Sequence, residues 1–364
     1  MQSTLPIHFA PLQGYTEAIY RQAHARIFGG IESYYTPFVR VEHGEIRKKD
    51  IREITLENNR GVQLIPQLIA PDVDKMEQII ALFIEKGYKN VDINLGCPFP
   101  LLAKRHNGSG MLPYPEEVRE LLTATIKNHS DLQFSVKMRL GWENPEECLA
   151  LLPLLNELPL THIIMHPRLG KQQYKGEVDL KGFEAFYNEC RHPLMYNGDL
   201  LTVEDIQATR ERFPQLAGIM IGRGLLANPA LALEYQQGHP LSEKDMQERL
   251  RLFHADVFAQ YGNLLEGGDK QLLTKMKNFW EYLMPDGEVR SVILSEMGFT
   301  STYGEDVQAA AFAYAYYIAE NNQHIDSMLL SRETDDAGEV AQGLALGLSY
   351  QNGRRKYIYD TFKY

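Results

Sequence analysis

An alternation of strand-like and helical segments runs through the first 240 residues, and it limits the possible folds more than any other feature. Short apolar runs that favour β-strands are each followed by a segment with the apolar spacing of an amphipathic helix. Eight such units within about 240 residues fit one β/α barrel of ordinary size. The predicted strands are 7–13, 34–41, 62–70, 91–95, 134–140, 161–166, 194–197 and 216–222.

An open, doubly wound α/β sheet is the alternative to the barrel. A sheet of that kind that binds a dinucleotide carries the glycine pattern G-x-G-x-x-G after its first strand. The chain reads PLQGY at residues 11–15 and lacks this pattern. We therefore predict an α/β fold, an eightfold β/α (TIM) barrel followed by a smaller all-helical domain.

The pattern of apolar residues changes near Leu241. No strand signal is visible from 242 to 321, and helices are expected over 271–283 and 307–320. The expected domains are a barrel over 1–240, a helical domain over 241–321, and a C-terminal extension of unknown role over 322–364.

Composition narrows the class of function. Lys and Arg number 37 against 48 Asp and Glu, which gives a net charge of −11. A broad basic surface for nucleic acid is therefore excluded, and any RNA site must be a local basic groove. The three cysteines are far apart and predict neither a disulfide framework nor a metal site. No run approaches the ~20 apolar residues of a membrane span, and we expect no membrane contact. We also expect a cytoplasmic protein and a monomer.

The stretch 91–98 places a cysteine directly after a predicted strand. Its apolar residues suit a buried strand, whereas Gly96 and Pro98 end the strand and leave Cys97 at its carboxyl end. In a β/α barrel the carboxyl ends of the strands form the active-site face. Cys97 and Asn94 are therefore candidates for the barrel mouth, although a cysteine is often just a small buried hydrophobe.

Polar residues also stand at the ends of most other predicted strands. Each has an ordinary alternative explanation, such as a core histidine at 166, a salt-bridging arginine at 223, or a buried lysine at 137 that pairs with Asp92. As a set they would converge on one barrel mouth. The set comprises Gln13, Gln67, Lys137, Arg139, His166, Arg168, Asn197, Asp199 and Arg223.

Glycine-containing turns follow strands seven and eight, at 197–199 and 222–224. In β/α barrels this is a frequent phosphate site, where backbone N–H groups bind the anion. Lys137 and His166 would lie beside the rest of the ligand, and Gln67 could hydrogen-bond a ring edge. Cationic or proton-donating groups beside a planar ring suit a flavin, so the pattern predicts FMN.

Three motifs together resemble the tRNA-dihydrouridine synthase family. They are DINLGCP at 92–98, SVKMRLGW at 135–142, and IGRG at 221–224 followed by Asn228 and Pro229. The resemblance covers about residues 7–320. It implies an FMN-binding barrel with a helical tRNA-binding domain, and an enzyme that reduces the C5–C6 double bond of particular uridines in tRNA with NADPH as electron donor.

The resemblance implies a role for each matching residue. Cys97 matches the cysteine that protonates uracil C5 while reduced FMN delivers hydride to C6, and Asn94 matches an asparagine near the target base. Flavin-binding positions fall on Pro11, Leu12, Gln13, Gln67, Lys137, His166, Asn197, Gly198, Asp199, Gly222 and Arg223. Positions around the flipped uridine fall on Arg139, Arg168 and Tyr174.

Basic positions of the family that face tRNA fall on Lys275 and Lys277. The local groove that an acidic protein needs would combine these with Lys104, Arg105, Lys171 and Lys175. Ordinary solvated surface lysines are the alternative.

Some residues depart from the family pattern. Leu12 replaces a methionine, Pro37 stands where many members carry a glutamate, and Pro167 replaces a glycine. An FMN oxidoreductase that acts on a free pyrimidine or enone is therefore kept as the alternative activity. A non-catalytic RNA-binding protein is the third possible function, and the presence of Cys97 and Lys137 argues against it.

Overall fold

The computed structural model describes residues 4–283, 292–297, 304–305, 308–309, 311–312, 315, 325–330 and 352. The chain divides into two compact units, Met1–Leu283 and Met284–Tyr364. The strands are β1 (Ile7–Phe9), β2 (Ser33–Tyr35), β3 (Val41–Glu42), β4 (Glu45–Ile46), β5 (Leu64–Ile65), β6 (Gln67–Leu68), β7 (Asn90–Leu95), β8 (Gln133–Gly141), β9 (Leu160–Leu169), β10 (Leu194–Tyr196), β11 (Gly218–Ile221), β12 (Val292–Met297) and β13 (Ile325–Leu330).

The helices alternate with these strands in the first unit. They are α1 (Ala18–Ile27), α2 (Lys48–Ile54), α3 (Val73–Glu85), α4 (Pro100–Ala103), α5 (Pro115–Asn128), α6 (Glu146–Glu157), α7 (Leu180–Glu189), α8 (Val203–Arg212), α9 (Arg223–Ala227), α10 (Leu231–Gln237), α11 (Glu243–Leu264) and α12 (Gly268–Leu283), with 3-10 turns at Leu56–Asn59 and Gly108–Met111.

The main sheet of the first unit is a closed parallel barrel. Its strand order is β5-β2-β1-β11-β10-β9-β8-β7-β6, with every pairing parallel. β5 and β6 are the two halves of one strand interrupted at Pro66, so the ring closes through that strand. Pro66 has no N–H for the ladder, although its carbonyl accepts the N–H of Asp92 at 3.0 Å. The predicted eightfold β/α barrel is confirmed.

Side chains pack the barrel in two layers. The large apolar core lies between the strands and the surrounding helices and includes Phe9, Ile93 and Val136. Residues that alternate with these point into the barrel, where a smaller cluster of Ala10, Tyr35, Ile65, Ile164, Met195 and Met220 is buried. The barrel is thus filled with side chains, and its ligand site has to lie at the mouth.

Local capping explains several helix starts. The Asp72 carboxylate accepts the N–H of Lys75 at 2.9 Å, and Thr202 forms a capping box with Asp205. The N-cap of α1 is Glu17 rather than Thr16. The Thr16 hydroxyl instead accepts the N–H of Leu12 at 2.8 Å.

The region after residue 240 begins with two long helices. α11 and α12 pack on α1, where Tyr20 meets Phe253 and Phe279 with ring centroids 5.0 and 5.1 Å apart. The helix expected over 271–283 is confirmed. The expectation of no strand between 242 and 321 is wrong, since β12 pairs in parallel with β13. The run of β-branched residues in β12 favours a strand.

Other expectations for the C-terminal part fall largely outside the described residues. These are the helix over 307–320 and most of the extension over 322–364. The domain boundaries at 240 and 321 stay predictions. In the part of the chain that the structure describes, no helix is both long enough and apolar enough to cross a membrane.

Candidate active site

Register brings the predicted residues of the middle strands together at the barrel mouth. Asn94 on β7 lies opposite Lys137 on β8, and Arg139 on β8 lies opposite His166 on β9. Cys97 follows β7 directly. The carboxyl ends of three adjacent strands therefore place a thiol, an amine and an imidazole around one opening.

A chain of buried hydrogen bonds leads to the backbone of Cys97. The Ser135 hydroxyl and the Gln67 amide donate to the two carboxylate oxygens of Asp92, at 2.6 and 2.7 Å. Asn94 Nδ2 donates to Gln67 Oε1 at 2.7 Å, and the Cys97 N–H donates to Asn94 Oδ1 at 2.8 Å. Burial raises the pKa of Asp92 to about 6. The network fixes the turn that carries the thiol.

A glycine-rich loop supports the same turn from the other side. Ser109 donates to the Cys97 carbonyl twice, from its backbone N–H at 3.1 Å and from its hydroxyl at 2.9 Å. Gly108 has a φ of +58°, and a Cβ there would lie 2.7 Å from the Cys97 carbonyl oxygen. The thiol of Cys97 is half-buried, and burial raises its pKa. It therefore keeps its proton at neutral pH.

Lys137 is the available cation at the centre of the mouth. Its ammonium makes no hydrogen bond or ion pair with the residues that the structure describes. Burial, and then the charge of Arg139, lower its pKa to about 8, while Asp92 opposes this shift. At pH 7 Lys137 is mostly charged and free to bind an anionic or polar ligand. Asp92 thus pairs with Ser135 and Gln67 rather than directly with Lys137.

His166 is neutral. Burial lowers its pKa well below the ordinary value, and the neighbouring charges of Arg139 and Lys137 add to this. The guanidinium of Arg168 lies 3.2 Å from His166 Nε2. Because an arginine can only donate, Nε2 accepts and the ring proton lies on Nδ1. His166 can therefore donate a hydrogen bond from Nδ1, and its place beside a flavin stays a prediction.

Arg139 is committed to the backbone. Its guanidinium donates to the carbonyls of Gly96 at 3.0 Å, Leu169 at 3.0 Å and Gln173 at 2.6 Å. It is buried and lies 5.3 Å from the ring centre of Tyr174. These hydrogen bonds fasten the loops after β7 and β9, and a contact of Arg139 with the uridine or its surroundings stays a prediction. The Tyr174 ring itself is 48% exposed at the mouth.

Arg168, Asp199 and Arg223 form a triad. Arg168 pairs with the Asp199 carboxylate and donates to the Gly176 carbonyl, and Arg223 donates to Asp199 at 2.6 Å. Burial would raise the pKa of Asp199, but the two arginines lower it. Arg168 is thus an internal partner of Asp199, and its contact with the uridine stays a prediction. Arg223 stays half-exposed, so the triad presents a net positive charge to the mouth.

The turns after β10 and β11 offer backbone donors. The N–H groups of Gly198 and Arg223 meet no acceptor among the described residues. A Cβ on Gly222 would lie 3.3 Å from the Cβ of Ala10, so glycine lets this turn approach β1 closely. The Asn197 amide donates to the Met220 carbonyl at 2.8 Å and holds the two turns together. Pro11 and Leu12 are half-buried and Gln13 is exposed in the adjoining loop after β1.

Lys275 does not face a ligand. Its ammonium lies 2.8 Å from a carboxylate oxygen of Glu17, donates to the Gly14 carbonyl at 2.5 Å, and lies over the rings of Tyr261 and Phe279. The side chain is only 13% exposed. Its ammonium is thus engaged inside the fold, and the tRNA contact expected at Lys275 stays a prediction. Lys277 is exposed, and its proposed tRNA contact stays a prediction.

The remaining cations of the predicted groove lie on loops that follow β7 and β9. Lys104, Arg105 and Lys175 are exposed and have no ion-pair partner in the described part of the chain. Lys171 pairs with Glu143. Three of these four side chains are thus available to an anion.

Sequence reasoning missed the supporting residues of the site. Ser109, Ser135 and Gln173 were not singled out, although they fix Cys97, Asp92 and Arg139. A signal existed for Ser135, because it shares the inward face of β8 with Lys137 and Arg139 by the two-residue period of a strand. No local pattern marks Gln173, whose backbone carbonyl makes the contact.

The chain is similar to known proteins over most of its length. The family model described as Dihydrouridine synthase (Dus) matches residues 8–294, and a family of unknown function (DUF5722) matches residues 270–364. A tRNA-dihydrouridine(16) synthase of Pseudomonas putida is 29% identical over 265 residues, which cover 68% of this chain and 80% of that protein. A tRNA-dihydrouridine synthase B of Pasteurella multocida is 25% identical over 240 residues, covering 66% and 70%.

Among solved structures, the old yellow enzyme from Trypanosoma cruzi is similar with a TM-score of 0.46 and 14% identity, covering 69% of this chain and 94% of that one. The match to the dihydrouridine synthase model spans well over half of the chain and includes the whole barrel. The protein is therefore an enzyme of the dihydrouridine synthase family.

Proposed function

We propose that the protein reduces uridine in tRNA to 5,6-dihydrouridine, with FMN held in the barrel mouth and NADPH as electron donor. The names of its relatives support this reaction and substrate. The observation that carries the proposal is the thiol of Cys97. It is a protonated acid held at the mouth by hydrogen bonds on both sides of its turn.

The residues around the mouth fit FMN. Lys137 supplies an unpaired cation for a ring that is anionic when reduced, and His166 supplies a neutral donor. The free N–H groups of Gly198 and Arg223, with the net positive triad beside them, suit the phosphate. When bound and reduced, FMN supplies a hydride to uracil C6.

Cys97 supplies the proton. Because burial raises its pKa above the ordinary value, the thiol is protonated at neutral pH and can serve as a general acid. The S–H bond breaks, a C–H bond forms at uracil C5, and the thiolate takes a new proton from water. The addition of one hydride and one proton across the double bond balances the reduction.

Asn94, Gln67 and Asp92 act as positioning residues. Asn94 Oδ1 is occupied by the Cys97 N–H, and one Asn94 N–H is used by Gln67. The second N–H of Asn94 is left for a carbonyl of the base. A proton donor is effective only when it is within hydrogen-bond reach of the reacting atom, so this rigid support contributes directly to the rate.

Exposed cations support tRNA as the substrate. Lys104, Arg105 and Lys175 lie on loops at the carboxyl ends of the strands, and Lys277 is exposed on α12. A net charge of −11 repels a polyanion, so attraction has to come from such a local cluster. The target base must leave its stack to reach the mouth.

The first test is the dihydrouridine content of tRNA, mapped by position, after incubation with FMN-loaded protein and NADPH. The tRNA would come from cells that lack the modification. We expect dihydrouridine with the wild type, none with Cys97→Ala, and FMN bound to both. Cys190→Ala is the matched control, since that half-buried cysteine lies beside α7. Reduction of free uridine without any effect on tRNA would instead identify an oxidoreductase of small molecules.

A further inference from the structure

Besides the barrel mouth, the structure has a cavity beside the loop that supports Cys97. Its volume is about 420 Å³, which lies in the ~300–1,000 Å³ range of small-molecule sites. It lies between the loops that follow β7 and β8, at the same end of the barrel as the mouth. The cavity is lined mainly by Lys104, His106, Pro113, Tyr114, Trp142 and Glu143.

Flat rings form the walls of this cavity and are held in place. His106 stacks on Tyr114, with ring centroids 3.9 Å apart and planes within 14°. The carboxylate of Glu117 fixes the His106 ring through Nδ1 at 2.7 Å. Trp142 packs so closely on Gly170 that a Cβ there would lie 2.2 Å from the indole. The Tyr114 ring is nevertheless 43% exposed, so an ordered aromatic surface is open to a ligand.

The loop that carries these rings is strained and tightly packed. His106 has a φ of +52°, which a side chain rarely adopts outside functional or strained sites. A Cβ on Gly110 would lie 2.3 Å from the Ala103 carbonyl oxygen. Gly108 and Ser109, which lie between His106 and Gly110 in the same loop, support Cys97. The cavity wall and the support of the thiol are thus one rigid segment.

Two cations beside the cavity suit an anionic ligand. Lys104 and Arg105 are exposed and without ion pairs in the described residues. The carboxylates beside them are already engaged. Glu147 accepts backbone N–H groups from Trp142 at 2.7 Å and two following residues, and Glu143 pairs with Lys171. Lys104 and Arg105 are therefore the charged side chains beside this cavity that are left for a phosphate.

We propose that this cavity binds the unstacked base of a nucleotide next to the target uridine in the RNA strand. The inference rests on the proposed function. If the uridine enters the mouth as part of an RNA strand, the nucleotides that flank it must also lie against the protein. Bases of single-stranded RNA are commonly bound by stacking on aromatic side chains, with nearby cations on the phosphates. Phe99 and Leu101, 50% and 64% exposed, extend the apolar surface next to Cys97.

The test compares tRNA affinity and kinetics of Tyr114→Ala and His106→Ala with the wild type. Loss of one stacked base weakens nucleic-acid binding by roughly 5- to 150-fold, so we expect a rise of that size in the Kd and KM for tRNA. The KM for NADPH and the FMN content should not change. Tyr114→Phe keeps the ring and should bind like the wild type. Ile84→Ala, which truncates a 42% exposed side chain on α3, is the matched control.

A modified substrate separates this site from indirect effects. A tRNA with an abasic nucleotide on one side of the target should bind the wild type more weakly than intact tRNA does. Tyr114→Ala has already lost the stacking surface, so this variant should bind the abasic tRNA and the intact tRNA equally well. An unchanged Kd in Tyr114→Ala, with dihydrouridine still formed by the wild type, refutes the base site alone. A rise in the KM for NADPH alone would assign the cavity to the dinucleotide and also refute it. A wild type that forms no dihydrouridine, yet binds tRNA through Tyr114, would refute the proposed function and leave the base site standing.

Discussion

The ion pair between Lys275 and Glu17 fastens α12 to the start of α1, and the substitution Lys275→Ala removes it. The two side chains are 13% and 5% exposed, and their charged atoms are 2.8 Å apart. Lys275 also donates to the Gly14 carbonyl at 2.5 Å. The variant therefore loses a buried charge pair and leaves a backbone carbonyl without this donor, so it should unfold more easily.

The pKa of Glu17 sets the magnitude. Burial would raise this pKa, but Lys275 and Lys49 together lower it from 4.5 to about 2. A shift of that size corresponds to roughly 3 kcal/mol of stability, which is present above pH 4.5 and lost as the pH falls towards 2. Lys49 keeps a 2.6 Å contact with the other carboxylate oxygen and is 48% exposed. We therefore expect Lys275→Ala to cost about 2 kcal/mol, below the ~3–5 kcal/mol of a fully uncompensated buried charge.

Urea unfolding followed by circular dichroism at several pH values measures this loss. The difference between the wild type and Lys275→Ala should be largest near pH 7 and shrink below pH 4, because the wild type then loses the same contribution. Lys270→Ala, at an exposed position of the same helix, is the control and should leave stability unchanged. Equal stability of Lys275→Ala and the wild type, together with weaker tRNA binding, would show that Lys275 is a surface contact and refute the reasoning.

Three further predictions concern the mouth. Lys137 loses its charge as the pH rises through its pKa of about 8, so the affinity for FMN should fall between pH 7 and 9. A fluorescence titration of FMN measures this fall, and Lys137→Met should abolish the pH dependence. Gln67→Ala breaks the support of Cys97 and should lower kcat for tRNA roughly 10- to 100-fold with little change in KM; an unchanged kcat would contradict the positioning role. Asp199→Ala leaves Arg168 buried without its carboxylate and should lower the free energy of unfolding by roughly 2 kcal/mol, measured by urea unfolding.

The barrel and its mouth could be predicted because their signals are local. Strand and helix periods are visible within windows of a few residues, and the strand end at Cys97 is marked by Gly96 and Pro98. The two-residue period also places Asp92 and Asn94 on the same inward face of β7. These features depend on neighbours in the chain, so one sequence suffices to show them.

The partners of the charged residues could not be predicted in the same way. Lys275 stands among apolar residues of α12, which indicates a buried side, but its partner Glu17 belongs to the opposite end of the chain. The pairing of Arg168 with Asp199 and the bonds from Arg139 to the Gln173 carbonyl likewise need the folded loops. A basic residue in a motif therefore does not show whether its charge is free or internally paired.

That distinction defines where an acidic protein can hold an RNA. Arg139, Arg168 and Lys275 are consumed by internal carbonyls and carboxylates, so they add rigidity to the mouth and little attraction for phosphate. Lys104 and Lys175 are exposed and unpaired within the described residues, and they lie on loops at the mouth. Since phosphate contacts dominate RNA affinity and act over about a Debye length of ~8–10 Å, a few such side chains can outweigh a distant negative surface. On the proposed function, we therefore expect RNA to bind at the end of the barrel where Cys97 lies.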